Sequence, residues 1–185
     1  AEKGQSMKAI GEARGVYKLV KQGFDLKEEL IEFYFTTGAY NYYREYYPER
    51  YPAYKPFAWV FQSGDRALGL EQLHYTAKNA TFTSAEAYAY LNYIYLRYEQ
   101  DNEKALKCSS ELATKYPQNL YYLGNYIETL VLTKKYTEAE GQCQNLLAEQ
   151  DDIFYPTLGN LYLGMVQEKH YEDLDEDSKS AINEA

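Results

Sequence analysis

A stripe of large or apolar side chains at positions i, i+3 and i+7, with a variable residue at i+4, recurs three times in the second half of this chain. Tyr88-x-x-Leu91-Asn92-x-x-Tyr95 carries it first, Leu123-x-x-Tyr126-Ile127-x-x-Leu130 second, and Tyr155-x-x-Leu158-Gly159-x-x-Tyr162 third. At helical pitch these positions share one face, so each segment predicts an amphipathic helix whose stripe must be covered by another element. DNEKALKCSSELATKYP, from Asp101, supplies that cover for the first copy, opening on turn formers and closing at Pro117, which has no N–H to donate. TEAEGQCQNLLAEQ does so for the second, with Thr137 predicted as its cap and Glu140 three residues on. Ala105 and Ala139 fall where the paired helices would cross, and a small side chain there lets the backbones approach. The repeating unit is therefore a helical hairpin, with copies starting 35 and then 32 residues apart.

The first half shows the same pattern in expanded form. QSMKAIGEARGVYKLVKQGF, with Met7, Ile10, Val16, Leu19 and Val20, predicts a helix ending at Gly23. LKEELIEFYFTTGAYNYYREYY, residues 26–47, predicts a second helix with Gly38 at its small position. SGDRALGLEQLHYTAKNA predicts the partner, with Gly64-Asp65 as the turn and Gly69 at the close crossing. Between these two lies AYNYYREYYPERYPAYKPFAW, residues 39–59, holding seven tyrosines and three prolines. Pro48, Pro52 and Pro56 forbid a continuous helix from 48 to 57, so the stretch reads as a long connection inside the hairpin. The acidic end, EDLDEDSKSAINEA, reads as a last capping helix or a frayed tail.

The three copies resemble the tetratricopeptide repeat (TPR), W-x-x-L-G-x-x-Y, then A-x-x-x-F, then P, with Tyr in place of the leading aromatic. The third copy matches throughout its first helix. The first has Asn92 for the glycine, Ser109 for the phenylalanine and one extra residue in its turn; the second has Leu123 for the aromatic and Ile127 at the small position. The resemblance implies an all-α chain, a right-handed α-α superhelix of stacked helical hairpins in one domain over 1–185. Residues 1–79 would form N-terminal helices and a divergent repeat carrying the Tyr/Pro insertion, followed by repeats at 85–119, 120–151 and 152–185.

In such a superhelix the first helices line the concave side. The resemblance implies that this groove holds an extended peptide or partner segment. The residues off the packing stripe that would face it are Glu86, Ala89, Tyr93 and Arg97 in the first copy, Tyr121, Gly124, Glu128 and Leu132 in the second, and Asn160 with Leu163 in the third. Family members that grip a terminal carboxylate place Lys and Asn on these faces. Here the corresponding early positions are Ala89, Gly124 and Pro156, and only Asn160 fits, so no carboxylate clamp is expected. The expected role is a non-catalytic protein–protein interaction scaffold whose Tyr/Glu-bearing groove takes a neutral or basic segment.

Composition narrows this further. A formal charge of −9 and a pI near 4.8, with no long Lys/Arg run, disfavour nucleic acid as a partner. No apolar run reaches the ~18 residues that span a bilayer. Cys108 and Cys143 lack metal or redox spacing and read as small buried hydrophobes. His74 and His170 have no metal-type partners and read as surface residues, and EDLDED lacks the glycine and spacing of a calcium loop. No phosphate-binding loop, serine elbow or dinucleotide fingerprint occurs, so no catalytic residue, metal or cofactor is expected. The alternative function is a carbohydrate-binding accessory protein of the bacterial cell envelope, using Tyr47, Tyr51, Tyr54 and Trp59 as a stacking surface. With 23 tyrosines spread along the chain, packing accounts for that stretch more simply. Ala1 opens the chain, which is compatible with a removed leader or a preceding domain of a larger protein. The resemblance is to bacterial proteins that are often exported; the sequence itself assigns no compartment.

Overall fold

The computed structural model describes residues 15–58 and 61–173. Met7, Ile10, Trp59, the tail beyond 173 and the side chain of His170 lie outside the described residues. Regular structure among the described residues is all helical. The chain divides into two compact units, Ala1–Leu91 and Asn92–Ala185, with the division inside the helix Ser84–Ile94.

Unit one contains α1 over residues 15–26, α2 (Phe33–Arg50), a 3-10 turn (Pro52–Tyr54), α3 (Lys55–Ala58), α4 (Arg66–Asn79) and the start of α5 (Ser84–Ile94). Its centre is the packing of α2 on α4. The buried face of α4 is Gly69, Gln72, Leu73, Thr76 and Ala77, a helical stripe, and it meets Thr37, Gly38, Asn41 and Tyr42 of α2. Two glycines set the distance between these helices. A Cβ on Gly69 would lie 2.5 Å from the Tyr42 amide nitrogen, and one on Gly38 would lie 3.1 Å from the Gly69 carbonyl. Beside this crossing, Asn41 Nδ2 donates to Gln72 Oε1 at 3.0 Å, which satisfies polar groups that burial would otherwise leave costly. Asp65 caps α4 by accepting from the Leu68 amide, as the Gly64-Asp65 turn implies.

Three boundaries differ from expectation. The first helix runs past Gly23 to residue 26. The second begins at Phe33 rather than at 26, because the chain turns through 27–32 on hydrogen bonds from Glu29 and Leu30 to the Leu26 carbonyl. The helix expected to stop at 47 continues through Arg50, so residues 39–50 of the Tyr/Pro stretch are helical: α2 carries Pro48 inside it and ends only at Tyr51, whose extended φ −128° and ψ 90° precede Pro52. Pro48 removes one backbone hydrogen bond near the end of the helix, where the loss is small. Pro52 acts on the residue before it, and that is where the helix stops.

Unit two contains the end of α5, a π-helical turn (Tyr95–Glu99), α6 (Asn102–Lys115), α7 (Leu120–Leu132), α8 (Tyr136–Leu147) and α9 (Phe154–Asp173). The π turn takes up the extra residue of the first copy, and Gln100 closes it in the left-handed region at φ 55°. Consecutive helices pack from α6 through α9, and α7 also packs directly on α9. Leu123, Ile127, Leu130, Ala139, Cys143, Leu146 and Val166 form the core. The departures from the repeat pattern are filled by polar pairs. Asn92 Nδ2 donates to the Ala105 carbonyl at 3.0 Å, and the hydroxyls of Ser109 and Thr129 lie 2.7 Å apart. Gly159 sits where a Cβ would press on Leu146 and Leu147 at 3.2 Å. Thr137 does not cap α8. The helix starts one residue before it, from Lys135, because Lys134 turns the chain at φ 60° and the Lys135 amide bonds the Leu130 carbonyl.

Candidate functional site

The residues expected to face the groove fall into both units. Glu86 is exposed on the first turn of α5 and Ala89 is half-buried, both in unit one. In unit two, Arg97 on the π turn donates from Nη2 to Glu128 Oε1 on α7 at 2.6 Å. The Glu128 side chain is 21% exposed and that of Arg97 47%. The carboxylate therefore sits in a partly desolvated position, where an ion pair is stronger than one in open water.

Tyr162 of α9 feels both charges. Burial pushes its phenol up to about 12, the Glu128 charge adds to the rise, and the Arg97 charge opposes it. Its spacing alone places Tyr162 on the packing stripe. That it also lies in the field of the charged pair is not legible in the sequence, because this depends on how α7 and α9 lie side by side. Tyr93 is half-exposed and packs edge-to-face on Tyr98, with centroids 5.3 Å apart. Tyr121 is 61% exposed at the start of α7, and Leu132 is exposed at its end.

Of the remaining three residues, two lie in helix contacts and one is exposed. Gly124 is buried, and a Cβ there would meet Leu158 of α9 at 3.2 Å, so it belongs to a helix contact. Leu163 is half-buried against the core of unit two. Asn160 is exposed, and its Nδ2 is used within its own helix, donating to the Pro156 carbonyl at 3.0 Å.

Of the aromatic alternative, the structure brings together the three described members. Tyr47 near the end of α2, Tyr51 just past it and Tyr54 in the 3-10 turn are exposed, with centroid separations of 6.1 to 6.3 Å. Tyr47 also stacks on Tyr43 at 5.5 Å, so these rings cover one another as well as facing solvent.

Unit one also holds an open cleft of about 620 Å³ that the sequence did not announce. Phe35, Ala39 and Tyr43 of α2 line it at i, i+4 and i+8, opposed by Tyr17 of α1 and Tyr90 of α5. Its rim is tied by the Gln62 main chain, whose N–H donates to the Tyr17 hydroxyl at 3.0 Å and whose carbonyl accepts from the Tyr40 hydroxyl. Burial raises the Tyr40 phenol further above its ordinary value, which keeps it a donor. His74 is half-buried on α4 rather than fully solvated. Among the described residues no helix is long and apolar enough to cross a membrane.

The chain matches no protein-family model, and comparison with curated proteins and with solved structures finds no significant similarity.

Proposed function

We propose that this chain is a non-catalytic interaction scaffold of the tetratricopeptide type, in which stacked hairpins form a right-handed superhelix and the first helices of the repeats present a groove to a partner peptide. The observation that carries the reading is the Arg97–Glu128 ion pair between the π turn and α7, whose two charges are both felt at the Tyr162 phenol of α9. These three residues come from the π turn, α7 and α9, which are the first-helix segments of three successive copies. A surface built by alternate helices is what stacked hairpins produce, and the direct packing of α7 on α9 with α8 against both supports it.

The chemistry of that surface suits a neutral or basic extended segment. Tyr93 and Tyr121 offer exposed rings with polar tips, and Glu128 offers a carboxylate held in place by Arg97. Asn160, spent on its own helix, gives no support to a clamp for a peptide carboxylate.

Panning a random dodecapeptide library on the full chain tests this. The selected peptides should lose roughly tenfold or more in affinity to the double variant Tyr93→Ala, Glu128→Ala. They should bind the Tyr47→Ala, Tyr51→Ala, Tyr54→Ala variant unchanged. Retention by the first variant with loss by the second would reject the groove and favour the aromatic cluster of α2 as the binding surface.

A further inference from the structure

We propose that the turn between α6 and α7 forms a second binding site, for a neutral oligosaccharide. None of its residues belongs to the peptide surface described above, so it stands or falls separately. α6 ends at Lys115 and α7 begins at Leu120. The short link is held by the Asn119 amide donating to the Tyr116 carbonyl at 2.9 Å, and by the Asn119 side chain accepting from the Tyr121 and Tyr122 amides. The turn is thus tied down by its own hydrogen bonds, and two open clefts of about 580 Å³ each share it. Both volumes fall in the range of small-molecule sites, about 300–1,000 Å³.

Tyr116, Pro117, Gln118 and Leu120 are common to the two clefts. One adds Thr114, Tyr126, Gln142 and Asn145; the other adds Asn119 and Tyr155. No Asp, Glu, Lys, Arg or His is among the described residues that line either one, in a chain where 25% of residues are charged. Glu138 is engaged with the Tyr126 hydroxyl, and no charged side chain lines the clefts themselves, which suits a neutral ligand.

The hydrogen-bonding groups specify more. Asn145 Nδ2 donates to Gln142 Oε1 at 3.2 Å, which locks the two carboxamides together one turn apart on α8. What the pair still presents is the Gln142 amide donor beside the Asn145 carbonyl acceptor. Two neighbouring hydroxyls on a sugar ring, each able to donate and accept, complement such a donor–acceptor pair. The apolar face of the same ring needs an aromatic surface. Tyr116 is 42% exposed at the turn shared by both clefts, and Tyr155 lines the far one. Carboxamides and tyrosine rings in two clefts that share one turn describe adjacent subsites, hence an oligosaccharide rather than a single sugar.

The test is titration of the full chain, by calorimetry and saturation-transfer NMR, with neutral tetrasaccharides (β-1,4-glucose, α-1,4-glucose, β-1,4-mannose, β-1,4-N-acetylglucosamine) and with tetragalacturonate as the acidic control. At least one neutral tetrasaccharide should bind, and the acidic one should not. The double variant Gln142→Ala, Asn145→Ala should weaken binding roughly tenfold or more, and Tyr116→Leu should remove the saturation transfer to the sugar C–H groups. Thermal unfolding of each variant within a few degrees of the parent separates this loss from misfolding. The Tyr47→Ala, Tyr51→Ala, Tyr54→Ala variant should bind as the parent does. No binding by any neutral sugar, equal binding by tetragalacturonate, full affinity in the Gln142/Asn145 variant, or loss confined to the α2 tyrosine variant would each overturn the assignment.

Discussion

The carboxylate of Glu32 accepts hydrogen bonds from the main-chain N–H groups of Thr81, Phe82 and Thr83 and from the Thr83 hydroxyl, joining the turn before α2 to the link between α4 and α5. Burial disfavours its charge, yet the Thr83 hydroxyl and the three amides outweigh burial and hold the carboxyl below its ordinary 4.5. A group whose folded pKa is depressed stabilises the fold above its unfolded pKa and loses that contribution as pH falls through the folded one. Glu32→Gln should therefore cost about 1–3 kcal/mol at pH 7 and flatten the loss of stability below pH ~4.5, read by urea unfolding at several pH values. Nothing local signals this role: Glu32 sits in a segment that reads as helix, and its partners lie about fifty residues away. The cysteines are the opposite case, legible from their helical spacing alone. Both are free and buried; burial, with Glu111 and Glu140 adding, pushes their thiols up to about 12 and about 11. Neither Cys108 nor Cys143 should react with a disulfide reagent in the native protein at pH 8, and both should react once it is unfolded.

At the scale of the helix, glycine has two opposite meanings here. Gly69 stands where α4 crosses α2, and its expected place at a close crossing is what the packing shows. Gly69→Ala would drive a Cβ into the Tyr42 backbone and should cost about 1–3 kcal/mol or more, measured by thermal unfolding. Gly141 lies inside the exposed face of α8, where an added methyl group would meet nothing within 4 Å, so Gly141→Ala should stabilise by about 0.5–1 kcal/mol. Proline was less legible. The spacing of Pro48, Pro52 and Pro56 announces that a helix must end, but not at which proline. The end falls at Tyr51 because Pro48 lies within a turn of the terminus, where one missing hydrogen bond costs little, while Pro52 constrains the residue before it. The π turn was foreshadowed only as one residue too many in the first copy. That the surplus enters as a wider turn, rather than as a longer link, depends on Tyr95 being held in the core and on the Asp101 amide returning to the Tyr95 carbonyl at 2.9 Å.

Over the whole molecule, periodicity was the readable signal and convergence the unreadable one. The all-α class, the helices of the second half, the buried stripes of Leu91, Ile127 and Leu130, and the small residues at crossings are properties of 3.6-residue spacing and side-chain size, which the sequence carries. Which side chains meet across helices is another matter. Spacing marks Arg97 and Glu128 separately, but their ion pair and its electrostatic effect on Tyr162 follow from the placement of three separate segments. The peptide-binding test with Tyr93→Ala and Glu128→Ala belongs to this scale, since it asks whether those segments act as one surface. So does the sugar titration, because one of the clefts beside the Tyr116–Leu120 turn draws Gln142 and Asn145 from a helix more than twenty residues on. The sequence by itself determined the helices, most of their buried faces and the positions where backbones must come close, because these depend on local pitch and side-chain size. Only the tertiary structure decided which exposed residues share a surface, which proline stops a helix and which carboxylate a distant loop captures. Those outcomes are set by distances between atoms far apart in the chain, and no local pattern encodes them.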